Sequence, residues 1–139
     1  MKKFIKLTFI LLAAAIFSSC ENNNTGKEDT KLIFGKWKMV YAAVINNAEQ
    51  EFDGEAWENG GYIFEADGKL KAFDGNNVYE IGKYTLKNKT LTFIYSDGED
   101  NFVYTATELT ANDLTLEHYK NFSDMPNFKC CRMKFKKVN

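Results

Sequence analysis

The sequence predicts an all-β domain folded as an eight-stranded antiparallel up-and-down barrel. Three observations point there. Aromatic residues make up 15% of the chain, against nine Gly and a single Pro, Pro126, a balance that favours strands over helices. From Leu32 onward, apolar and polar residues alternate with period two in run after run,. The runs are joined mostly by short turn signals, which implies antiparallel neighbours in a meander. One apolar face per strand requires a layer folded on itself, and a closed barrel buries that face without leaving edges. A two-sheet β-sandwich is the alternative.

The first strand is Gly35 to Ile45, with Trp37, Met39 and Tyr41 on one face and Lys36 and Lys38 opposite. The longest connection follows, Asn46 to Gly61. Its Phe52, Ala56 and Trp57 suit a lid or one helical turn,. Tyr62 to Glu65 and Lys69 to Phe73 flank Asp67-Gly68, a strong hairpin signal,. Val78 to Lys87 comes next. There Tyr79 and Ile81 share one parity, Tyr84 and Leu86 the other, and Gly82 lies between. A bulge at Gly82 would turn all four inward and Glu80 outward.

Asn88-Lys89 turns the chain into Thr90 to Tyr95, and Ser96 to Asp100 turns it again into Asn101 to Leu109,. Leu114 to Lys120 and Phe128 to Val138 complete the eight. In the last strand Cys131, Met133 and Phe135 face one way, and Arg132, Lys134 and Lys136 the other.

The segment before the domain has another character. Met1-Lys2-Lys3 is a basic start, and Phe4 to Phe17 is almost wholly apolar. This reads as a signal peptide h-region, too short for a comfortable transmembrane span. Phe17-Ser18-Ser19-Cys20 resembles the bacterial lipobox. The resemblance implies cleavage before Cys20 and lipidation of its thiol and new amine. An ordinary signal peptide cut near Ala13-Ala14-Ala15 is the alternative. Several acyl chains on one residue anchor stably.

The expected organisation is therefore a lipoprotein signal peptide over 1–19, a lipidated Cys20 and flexible tether over 20–31, and the barrel over 32–139. The tether would reach roughly 20 Å on average. The expected address is the cell envelope, lipid-anchored at the outer membrane. Lys27-Glu28-Asp29 looks like a surface-export signal for lipoproteins and equally like a solvated acidic linker,.

The precursor has a formal net charge of -1. Without Lys2, Lys3 and Lys6, 15 basic groups face 19 acidic ones, a charge of -4. That argues against nucleic acid and against a polybasic grip on anionic lipid.

A family resemblance rests on Gly35-Lys36-Trp37. Gly-x-Trp opening the first strand is the lipocalin hallmark. The later runs Gly82-Lys83-Tyr84-Thr85-Leu86, Leu91-Thr92-Phe93 and Leu114-Thr115-Leu116-Glu117 look like the short lipocalin-like domains of many bacterial lipoproteins. The resemblance implies that Gly35 and Trp37 form the barrel floor, with an Arg from near the chain's end across the Trp. Arg132 is the only Arg available, although its strand phase points outward.

Candidate ligand-binding residues are the in-phase aromatics Tyr62, Phe64, Tyr84, Phe93, Tyr95, Phe102 and Tyr104, with the single histidine, His118. They would line a calyx for a small apolar or amphipathic molecule. The same side chains would equally fill a solid core, leaving an interaction module that binds a protein or glycan through Trp57, Tyr119 and Phe122,.

His118 reads as a ligand contact or as a rim histidine. Glu108 reads as a mouth carboxylate or as a solvated strand end. Cys130-Cys131 reads as one buried and one exposed thiol, because adjacent strand residues face apart; a vicinal disulfide would need a strained peptide,. No metal, cofactor or catalytic constellation is expected: there is no phosphate loop, no Ser-His-Asp order and no ligand-spaced cluster,.

Overall fold

The computed structural model describes residues 25–54, 56–119 and 128–139. The expected leader and Cys20 lie outside the described residues. The described elements are one helix, α1 (Thr25–Ile33), and nine strands: β1 (Gly35–Asn46), β2 (Glu51–Asp53), β3 (Gly60–Phe64), β4 (Lys69–Asp74), β5 (Asn77–Lys87), β6 (Thr90–Tyr95), β7 (Phe102–Leu109), β8 (Asp113–His118) and β9 (Phe128–Val138). Seven of them pair in sequence order from β3 to β9, and β1, the eighth of the wall, closes the barrel by pairing with both β9 and β3. The eight strands of the sequence reading are the eight of this wall. β2 is additional; it pairs with β1 at Ala43–Ile45, beyond the stretch of β1 that pairs with β3.

Turn chemistry sets the register. Gly68 has φ 89°, a conformation that costs a glycine little. Asn88 and Lys89 both have positive φ, as the two centre residues of a type I′ turn require. Gly61 has another role: a Cβ there would lie 1.9 Å from the Trp37 carbonyl oxygen. Only glycine lets β3 come this close to β1.

Three irregularities redirect side chains. The register shift at Val40 breaks the phase of β1, leaving Val40 48% exposed. Trp37 and Met39 remain inside, but Tyr41, expected to join them, points outward and donates to Glu51 Oε2 at 2.9 Å. A second shift falls at Ile81, between the pairs Leu70↔Gly82 and Lys71↔Glu80. This is the bulge expected beside Gly82: Ile81, Tyr84 and Leu86 pack on the core. Tyr79 does not, because β5 there pairs with β4 alone beyond the last β6 contact, leaving it 54% exposed. A third shift, between Ala106 and Glu108, leaves Glu108 exposed near the end of β7.

The expected tether is helical from Thr25. A nine-residue polar helix is marginal alone, and its sequence carries no strong apolar period. The barrel supplies what the helix lacks. Ile33 is fully buried, and the Ile33 carbonyl accepts a 2.7 Å bond from Trp37 Nε1. The Leu32 carbonyl accepts from Lys137 Nζ at 2.8 Å. Two carbonyls that a helix C-terminus leaves open are thus satisfied from the barrel. α1 contacts β5 and β7 and marks the closed end.

Trp37, wholly buried, plugs that end. Gly35 leaves the helix at φ 116°, a backbone that L side chains rarely adopt. The cation over Trp37 is Lys137, 4.7 Å from the ring centroid. Arg132, the expected candidate, lies on the outer wall, bonded to Glu117 and Glu51. Strand phase decides this: Lys137 is the register partner of Trp37, and Arg132 that of Ala43. Trp37, Phe64, Leu91, Phe93, Leu116 and Phe135 form the heart of the core, each worth about 1.5–3 kcal/mol by burial.

Candidate functional site at the open end of the barrel

Phe93 divides the barrel interior. Its ring lies 4.8 Å from Tyr104, 5.1 Å from Tyr62 and 5.9 Å from Phe64 by centroid. These spacings are those of packed aromatic pairs, so the middle of the barrel is filled by its own side chains. Phe64 and Tyr84 belong to this packing. Their rings meet edge to face at 5.0 Å, and the Tyr84 hydroxyl donates to the Glu65 carbonyl at 2.7 Å. Both are thereby committed to structure.

Toward the open end, above Phe93, a further set of side chains, the cup, lines the mouth of the barrel. Tyr62 enters from β3, Tyr95 from β6, Phe102 and Tyr104 from β7, and His118 from β8. Tyr95 and Phe102 meet edge to face at 5.9 Å; His118 lies 5.4 Å from Phe102 and 5.5 Å from Tyr104. Trp57 closes one side. Its backbone N–H points at Met39 Sδ (3.4 Å) and its ring packs on Tyr62 and against Gly60, where a Cβ would fall 2.3 Å from the indole. The expectation that the Asn46–Gly61 connection bears on the mouth is met through this one residue.

The polar atoms of the cup are short of partners. His118 Nδ1 lies 2.8 Å from the Val103 carbonyl oxygen. A carbonyl only accepts, so Nδ1 carries the proton and Nε2 of the neutral ring is an acceptor. Nε2 is buried and has no hydrogen-bond partner among the described residues. Tyr104 is 7% exposed, and His118 Nε2 is the one buried side-chain polar atom without a partner among the described residues. Burial pushes the Tyr62 phenol up to about 12, with Tyr95 adding to the effect. The Tyr104 phenol is raised by burial first, then by Tyr62, Tyr95 and Cys131.

Two open hollows adjoin the cup. One, of about 920 Å³, runs along β7 and β8 and is lined by Phe102, Val103, His118 and Tyr119 with the turn before β7. The other, of about 520 Å³, lies between β5 and β6 and is lined by Ile81, Tyr95 and Phe102 with the same turn. They meet at Phe102 and Glu99.

The remaining candidates fall elsewhere. Glu108 lies toward the closed end, where it accepts from Thr115 Oγ1 at 2.9 Å; β7 descends from the mouth, so a residue late in it cannot serve there. Neither Cys130 nor Cys131 forms a disulfide; the first is buried and the second half-buried. Among the described residues no three His, Cys, Asp or Glu converge on a metal geometry. Of the loop aromatics, Tyr119 is 54% exposed with its hydroxyl bonded to Glu117, and Phe122 lies outside the described residues.

The orphaned Nε2 was beyond sequence reasoning. Phase placed His118 inward, but the bond that fixes its tautomer comes from a neighbouring strand's backbone.

Residues 33–116, more than half of the chain, match the family model of the lipocalin-like domain. No curated protein matches the sequence.

Proposed function

The chain belongs to the lipocalin-like domain family, and from that premise we propose that it binds a small amphipathic molecule in the aromatic cup at the mouth of its barrel. One observation carries the reading: the buried Nε2 of His118 has no hydrogen-bond partner among the described residues, and its ring lies 5.5 Å from that of Tyr104 at the mouth. Buried polar atoms are nearly always hydrogen-bonded, and leaving one unsatisfied costs about 1–3 kcal/mol. A ligand that supplies the missing partner recovers that cost, while the rings of Phe93, Phe102 and Tyr95 take its apolar part.

The site is shallow. Phe93 is its floor, so the cargo is small or enters by one end only. Binding and orientation are the whole task; no residue is assigned bond chemistry. The leader and Cys20 support a second element of the proposal, a lipid anchor in the cell envelope at the outer membrane. The sequence Phe17-Ser18-Ser19-Cys20 carries that element.

Native mass spectrometry of the chain, extracted from its own membranes in neutral detergent, tests the reading. A non-covalent ligand retained by the native chain and lost from Phe102→Ala, with the melting temperature unchanged, supports it. A ligand-free mass that persists after incubation with a host lipid and metabolite extract overturns it.

A further inference from the structure

We infer that the cup takes an organic cation, an apolar body bearing an ammonium or guanidinium group; this rests on the cup being a binding site. The first ground is how charge is distributed at the mouth. The larger hollow is lined by Glu99 and Asp100, the smaller by Glu80, Asp97 and Glu99. Among the described residues lining either hollow there is no Lys or Arg. The chain has 18 basic residues, and none of those described lines either hollow. Hollows walled by apolar rings and edged by one sign of charge concentrate the field on an incoming ion.

The second ground is the hydrogen-bonding sense of the buried atoms. In the neutral ring, with Nδ1 donating to the Val103 carbonyl, His118 Nε2 is an acceptor,. The carboxylates accept as well, and the Tyr104 hydroxyl does either. An ammonium or guanidinium is donor-only, so it suits a lining of acceptors. A carboxylate or phosphate ligand would pass four carboxylates without meeting a cation among the described lining residues, and would set its lone pairs against that of Nε2 in the neutral ring. The faces of Phe102 and Tyr95 suit a cation further, since aromatic faces attract positive charge. Burial first, and then Glu99 and Asp97, raise the Tyr95 phenol.

Three probes of one shape and different charge test this by isothermal titration of the full chain in neutral detergent: phenethylammonium, 2-phenylethanol and 3-phenylpropanoate. The cation is expected to bind about ten-fold more tightly than the alcohol, the effect of two or three screened carboxylates, and the anion more weakly than either. Added salt should narrow the gap. Glu99→Gln with Asp100→Asn, both on an exposed turn, should reduce the preference to about two-fold, and Glu99→Lys should favour the anion. Circular dichroism confirms that the variants fold. Equal or tighter binding of the anion overturns the cation inference and leaves the cup standing as a site. No heat or competition from any of the three overturns both.

Discussion

Lys137 and Trp37 face each other across β1 and β9, and the Lys137 ammonium rests 4.7 Å from the indole centroid while bonding the last turn of α1. One contact thus joins the first strand, the last strand and the helix. Trp37→Phe keeps most of the packing but removes the Nε1 donor to Ile33. It should destabilise the domain by about 1–2 kcal/mol and increase hydrogen exchange in α1. A double-mutant cycle with Lys137→Met should return a coupling of about 0.5–2 kcal/mol. Additivity of the two changes would contradict the contact.

Arg132 links an exposed carboxylate to a buried one. Glu117 is 5% exposed and Glu51 lies in the open on β2. Arg132→Ala should cost about 3 kcal/mol, because it removes the cation beside the buried Glu117 carboxylate, which keeps the Tyr119 hydroxyl,. Glu51→Gln should cost less than about 1 kcal/mol, as for an exposed pair. Urea midpoints of the two variants decide it, and equal losses would refute the asymmetry.

The tyrosines set the alkaline limit of stability. Tyr62 is held up at about 12 by burial, and Tyr104 is raised by the same cause. An unfolded tyrosine ionises near 10. Below pH 10 both forms are protonated and stability is complete; from pH 10 to 12 the unfolded chain loses protons that the folded chain keeps. Stability should therefore fall across that window, by about 1.4 kcal/mol per pH unit for each such group. Absorbance at 295 nm should show these tyrosines ionising together with the loss of structure. Full reversible ionisation of all seven tyrosines in an intact fold would count against it.

Phe93 and Phe102 should separate structure from binding. Phe93 is fully buried and touches four other rings. Phe93→Ala should cost about 3–5 kcal/mol, whereas Phe102→Ala, at the half-buried mouth, should change the melting temperature little and weaken binding. Gly61→Ala belongs with the first: its Cβ meets backbone, so it should cost about 3 kcal/mol or more.

Much of the barrel was legible in the sequence because its turns announce themselves. Asp67-Gly68 and Asn88-Lys89 fix two hairpins, and strict alternation in β6 and β9 names their inner faces. Even the irregularity at Gly82 betrayed itself as a change of parity. Val40 gave no such sign: it looks like a strand residue, and only the pairing with β9 makes it a bulge that turns Tyr41 outward. α1 was illegible because its stability resides in Trp37 and Lys137, far along the chain. The aromatics of the cup could be listed from phase, but not divided. Phe64 and Tyr84 share the parity of Tyr62 and Tyr104, and height along the barrel, which phase does not encode, separates core from mouth. The Ser96–Asp100 turn was plain, yet its acidity acquires meaning only once it borders Phe102.

The attachment of α1 to the floor has a consequence for posture. With acyl chains on Cys20, as proposed, the chain from the anchor to Thr25 spans at most about 18 Å when fully stretched. The helix then leads directly into the plugged end. The barrel would stand upright on its sealed base, like a goblet on a short stem, with its rim facing away from the lipid. Cargo would reach it from the aqueous side, so its catch would depend on what is dissolved around the cell and not on what is dissolved in the bilayer.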